Sequence, residues 1–110
     1  MVKTKLFLKK NPTLRNIQAY VRELEKERRF DKTSSNIQTA LQLGEEIGEL
    51  YKAIRKTEKM RIDKNSQVMN ISEELADILI YVSAIANRYS VDLEKSFRDK
   101  EEVNKKREWV

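Results

Sequence analysis

The chain has 110 residues, enough for one domain with a single core, and carries a net charge of +5 that by itself selects no partner. It contains no cysteine and no histidine, which removes disulfides, thiolate nucleophiles, an imidazole general base and the usual nitrogen and sulfur ligands of zinc or copper. Hard-metal chemistry on oxygen ligands stays open.

No apolar run approaches the ~20 residues that span a bilayer, and Met1 to Leu8 is too short and too charged for a signal peptide. A soluble, cytoplasmic chain is expected. Residues 1–12 read as a short basic arm that frays at the terminus, ahead of a domain over 13–110.

From Thr13, an available N-cap, Leu14, Ile17, Val21 and Leu24 recur at helical spacing and the pattern fades near Arg29. Asp31 to Asn36 reads as a polar turn, with Phe30 just before it as a packing anchor and Ser34 or Ser35 as the N-cap of a second helix. That helix runs to about Lys56, its broad apolar face carrying Ile37, Leu41, Ile47, Leu50 and Ile54. Gly44 and Gly48, the only glycines, fall inside it at a cost of ~1 kcal/mol each relative to alanine. Close approach of another backbone would explain them.

Thr57 to Met69 lacks periodicity and reads as a mobile loop, a polar connector or, alternatively, a phosphate-facing lid. A third helix starts near Asn70, with Glu73 at the reciprocal position of a capping box and a stripe of Ile71, Leu75, Ile78, Val82 and Ile85. Asp92 caps a fourth, from Leu93 to about Arg107. Nothing alternates with period two, so the class is all-α, with four helices.

The acidic residues carry the chemistry. At ~100° per residue, Glu74 lies about 40° from Ile78, within the buried stripe, and Asp77 lies about 100° to the same side. A carboxylate forced out of water is paired, protonated or bound to metal. On the second helix Glu46 and Glu49 lie about 100° and 160° from Ile47, beside Leu43, Leu50 and Ala53, so the two pairs can meet across a helix interface. Four converging carboxylates repel one another unless divalent cations neutralise them, and Mg²⁺, which takes about six oxygen ligands and leaves room for phosphates, is the natural occupant. The bland reading is that these acids make surface pairs with Lys52, Arg55 or Lys56.

On the fourth helix Leu93, Phe97, Lys100, Asn104 and Arg107 share one face, apolar at its start and polar at its end. Lys100 and Arg107 would screen negative oxygens and Asn104 would add a neutral hydrogen bond. Tyr81, near Glu74, is either core or a flat surface for a base. The Gly-x-x-x-x-Gly-Lys signature is absent, so phosphate binding would rest on metal and basic side chains.

Glu46-Ile47-Gly48-Glu49 and Glu74-Leu75-Ala76-Asp77 form an ExxE and ExxD pair, set in LGEEIGELYKAIRK and EELADILIYVSAIANRYSVDLEKSF. With this context the chain, from about Phe30 to Trp109, resembles the MazG-like, all-α NTP pyrophosphohydrolase superfamily. The resemblance implies a four-helix MazG-like bundle completed by dimerisation, as a homodimer or dimer-based tetramer. It also implies Mg²⁺ (Mn²⁺ can substitute) on Glu46, Glu49, Glu74 and Asp77, and a nucleotide site using Lys100, Asn104 and Arg107.

The expected reaction is hydrolysis of a nucleoside triphosphate, canonical, deoxy or modified, to the monophosphate and pyrophosphate, with Glu46 or Glu49 orienting the attacking water. Two departures bear on base preference: Phe30 stands where relatives often carry tryptophan, and the preceding loop has no histidine. The rival from another class is a non-enzymatic basic helical module for nucleic acid or a partner helix. A family member acting on a phosphoribosyl nucleotide is the other alternative. Nucleic acid and membrane are not the expected partners.

Overall fold

Side-chain caps set where the long helices begin. In the computed structural model, which describes residues 4–109, Thr13 accepts from the Asn16 amide while the Asn16 side chain accepts from Thr13 N, closing a capping box at the start of α1 (Leu14–Glu27). Ser35 and Gln38 repeat the arrangement at α3 (Asn36–Thr57). At α4 (Ile71–Arg88) Asn70 caps the Glu73 amide, but the Glu73 carboxylate accepts from the Asn70 side chain rather than its backbone, so the expected reciprocal box is only half made. Asp92 caps α5 (Leu93–Asn104) through the Lys95 amide.

Two boundaries differ from the sequence reading. The polar turn after Phe30 contains a one-turn helix, α2 (Phe30–Thr33), entered through Arg29 in the left-handed region at φ 64°. It buries none of its side chains, so no periodicity announces it. The last helix stops at Asn104, and Arg107 comes after it in a turn, its amide donating to Asn104 O. Past Val103 the residues Lys105, Lys106 and Arg107 are all exposed, and the next apolar side chain, Trp109, is exposed too, so no burial holds another helical turn. The described residues therefore form five helices and no strand, an all-α fold.

α3 and α4 run antiparallel as the most extensively packed pair, with Glu46 beside Glu74 and Asp77 at one level and Thr39 sharing a wall with Ala84 at another. α1 packs on α4 through Val21, Leu24 and Ala84, with Ile17, Tyr20, Ile80 and Leu6 around them. Leu6 and the bond from Thr4 Oγ1 to Glu27 Oε2 lay the N-terminal arm along α1, where a frayed end was expected; residues 1–3 lie outside the described residues. A buried amide junction sets the exit into α5. Gln18 Nε2 donates to Val91 O at 2.8 Å, Gln18 Oε1 accepts from Leu93 N at 2.8 Å, and Asn87 Nδ2 donates to Gln18 O at 2.8 Å.

The single chain leaves much apolar surface uncovered. Ile37, Leu41 and Tyr51 are 71%, 67% and 62% exposed, and Gly44 and Gly48 lie on the same stripe of α3. A Cβ at either glycine would meet nothing within 4 Å, so the close approach expected there does not come from the described residues of this chain. Its surface is 9197 Å², whereas a folded monomer of 13.1 kDa exposes about 6,400 Å².

Candidate functional site

The facing surfaces of α3 and α4 bring three carboxylates together. Glu74 is only 1% exposed, as its place in the apolar stripe predicts, and Asp77 comes one turn later on the same side. Glu46 reaches them from α3, and oxygens of all three lie within 4.8 Å of one another. Glu74 Oε2 has no hydrogen-bond partner among the described residues, although an unsatisfied carboxylate oxygen at that depth is expensive.

Repulsion within the cluster is visible at Glu46. Burial first, then the closeness of the Glu74 carboxyl and the negative charges of Asp77, Glu74 and Glu49, push its carboxyl up to about 7. Without a cation the cluster holds a proton near neutral pH. With one, three oxygen donors and no nitrogen or sulfur select a hard divalent ion. The orphaned Glu74 oxygen gives such an ion a ligand that is already desolvated.

Glu49 lies outside the group that meets within 4.8 Å; its carboxylate sits 3.7 Å from Lys52 Nζ on the half-exposed side of α3. For this acid the surface pair and the contribution to the site coexist, since its charge still acts on Glu46. Tyr81 stands one turn after Asp77. Burial, then the charges of Glu46 and Asp77, raise its hydroxyl above the usual tyrosine value, so it stays a neutral hydrogen-bond donor.

Asp77 and Tyr81 open onto a cleft of about 580 Å³, in the range of small-molecule sites. Phe30 and Thr33 of α2 line one wall, and Gln38, Thr39 and Gln42 of α3 another. α2 makes its main contact with α1 rather than with α3 or α4.

Lys100, Asn104 and Arg107 do not line the cleft. Their helix packs against α1, Lys100 and Arg107 are exposed, and Arg107 is past the helix end. Asn104 Oδ1 is buried without a partner. The chain by itself does not bring these three to the carboxylates.

Two further acids line the cleft. Glu45, next to the cluster in sequence, lines the cleft and accepts from Gln42 Nε2 at 3.2 Å. Glu25 of α1 lines it too and forms a buried ion pair with Arg88 at 2.7 Å. The signal for Glu25 was present, since it falls about 40° from Val21 on α1, the same displacement that marks Glu74 from Ile78.

Comparison with known proteins agrees with this geometry. Two crystal structures of iMazG from Vibrio DAT 722, Ctag-iMazG and Ntag-iMazG, are similar to this chain with TM-scores of 0.60 and 0.61 and 32% sequence identity. Each similarity covers 86% of this chain and 99% and 95% of theirs, respectively. No curated protein matches. The model of the MazG nucleotide pyrophosphohydrolase domain matches residues 34–108, which contain every carboxylate of the cluster and most of the cleft. The chain belongs to the MazG nucleotide pyrophosphohydrolase family.

Proposed function

We propose that this protein hydrolyses a nucleoside triphosphate to the monophosphate and pyrophosphate with Mg²⁺ held by Glu46, Glu74 and Asp77, Glu49 assisting from beside them. The observation that carries this reading is the buried, unpartnered oxygen of Glu74, converging with two further carboxylates at the edge of a ligand-sized cleft. When bound, Mg²⁺, or Mn²⁺ in its place, supplies neutralisation of the phosphate charge and a lowered pKa for the attacking water. Glu74 and Asp77 hold their oxygens fixed on one helix face, so the site is built before the substrate arrives. Of the two acids proposed for the water, Glu46 stands inside the cluster and Glu49 at its half-exposed rim. Tyr81 offers a ring and a neutral hydroxyl to the nucleoside end in the cleft.

The reading includes a homodimer or a dimer-based tetramer. The surface in excess of a folded monomer, about 2,800 Å² per chain, is comparable to what large obligate interfaces bury. The α3 stripe of Ile37, Leu41, Gly44, Gly48 and Tyr51 has a spacing of four and three residues, suited to packing against a second helix. We assign Lys100, Asn104 and Arg107 to the phosphates of a site completed across that contact, because α5 lies on α1 within its own chain. The active unit spans residues 13–110 and works in the cytoplasm; no helix among the described residues is long and apolar enough to cross a membrane.

The test is pyrophosphate release from a panel of canonical, deoxy and modified triphosphates, with and without Mg²⁺. Magnesium-dependent release that Glu74→Gln abolishes supports the reading, and no release from any member of the panel sinks it.

A further inference from the structure

Arg88, the last residue of α4, stands behind the α2 wall of the cleft. Its Nη2 donates to Glu25 Oε2 at 2.7 Å and to Phe30 O at 3.1 Å. Its Nη1 donates to Ser34 O at 2.6 Å and to Asn36 Oδ1 at 3.4 Å. One guanidinium thus joins α1, both ends of α2 and the first residue of α3.

α2 has little else to hold it. Apart from its contact with α1, it buries no side chain and its N-terminus has no side-chain cap; internally the Lys32 and Thr33 amides and Thr33 Oγ1 donate to Arg29 O, and the Ser34 amide donates to Phe30 O. Stability does not account for the clamp, because Arg88 and Glu25 are 11% and 10% exposed and Arg88 Nε is left unpartnered. A buried ion pair in that condition is often matched or bettered by apolar side chains of similar volume. What apolar residues cannot supply is a rigid fork of donors aimed at two backbone carbonyls and a carboxylate at once.

We propose that Arg88, oriented by Glu25, is a positioning residue: it holds the Phe30–Thr33 wall in place across the cleft from Tyr81 and Asp77 and so sets the affinity for the nucleoside end of the substrate. The nature of the ligand rests on the pyrophosphohydrolase reading; the clamp itself does not. Arg88 lies three helical turns beyond Asp77 on α4, so the carboxylates keep their geometry when the clamp is cut.

The experiment compares Arg88→Met and Arg88→Lys with the wild type by three measurements: Mn²⁺ binding to the protein alone, KM and kcat for the best triphosphate, and amide hydrogen exchange at Thr33 and Ser34. In Arg88→Met, KM rises about tenfold while kcat stays within about threefold, as loss of uniform binding requires. Mn²⁺ affinity is unchanged and protection at Thr33 and Ser34 is lost. Arg88→Lys, which keeps a charge for Glu25 without the planar fork, falls between and guards against a variant that fails to fold. An unchanged KM, or a kcat that collapses with Mn²⁺ affinity, overturns the proposal. Should the wild type bind Mn²⁺ yet release no pyrophosphate, the functional reading fails and exchange alone judges the clamp: retained protection at Thr33 and Ser34 in Arg88→Met overturns it, and lost protection upholds it.

Discussion

Glu46 on α3 and Glu74 on α4 bring carboxylate oxygens within 4.8 Å of each other across the helix interface, and burial first, then this proximity, pushes the Glu46 carboxyl up to about 7 from 4.5. The folded protein therefore holds that proton more tightly than the unfolded chain does. The stability it confers is complete below about pH 4.5 and is lost as pH rises through about 7. In metal-free protein the Tm difference between Glu46→Gln and wild type grows from near zero at pH 4.5 to a clear advantage for the variant at pH 8. Mg²⁺ at pH 8 raises the Tm of the wild type by mass action and raises that of Glu46→Gln much less. A difference that does not change across this window would show that the fold does not raise the Glu46 carboxyl as described.

Glu73 and Glu74 are adjacent and equally acidic on paper, yet one faces out and accepts from the capping Asn70 side chain while the other is buried. Glu74→Gln lowers pyrophosphate release at least about a hundredfold, since it removes a ligand oxygen that no neighbour replaces. It leaves the metal-free protein as stable as the wild type or more so, because a buried charge is gone. Glu73→Gln weakens the start of α4 by at most ~1 kcal/mol and retains activity. Assaying both at matched folded fraction separates the roles.

That contrast shows what was legible in the chain. Thr13, Ser35, Asn70 and Asp92 announce the long helices because capping is local chemistry. The angular position of Glu74 reveals its burial because a helix fixes the angle between residues. The same reasoning applied to α1 finds Glu25 and Gln18. α2 was not legible: four exposed residues carry no period, and the left-handed turn at Arg29 has no sequence mark. Phe30 and Thr33 of α2 close one wall of the cleft, so its existence was hidden as well, although most of its lining comes from the long helices. For Lys100, Asn104 and Arg107, spacing says which residues share a face but not which surface that face meets. The helix end before Arg107 was a second loss, since lysine-rich sequence permits a helix without holding one.

Gly48 gives opposite answers for a free and a covered α3 face. In an isolated chain Gly48→Ala adds helix propensity of ~1 kcal/mol, and the new Cβ meets nothing. With a second copy packed on the stripe, added bulk is excluded. The expected outcome is that Gly48→Leu sediments as a monomer and melts lower than the wild type, which sediments as a dimer or larger. A monomeric wild type, stabilised by Gly48→Ala, would leave the glycines without an assembly role.

A site completed across subunits has a consequence that no single variant displays. Glu74→Gln removes the carboxylate from one half of each site, and a Lys100→Ala, Arg107→Ala double variant removes the phosphate-screening cations from the other. Each homodimer has only damaged sites and should be inactive or nearly so. If the two are mixed and allowed to exchange subunits, every heterodimer contains one site with both halves intact and one with neither. Random exchange of equal amounts makes half the dimers mixed, each with one working site of two, so activity recovers to about a quarter of the wild type. The recovery must appear with the time course of subunit exchange, tracked by fluorescence transfer between labelled chains. If full exchange brings no recovery, Lys100 and Arg107 serve the carboxylates of their own chain, and α5 must leave α1 to reach them.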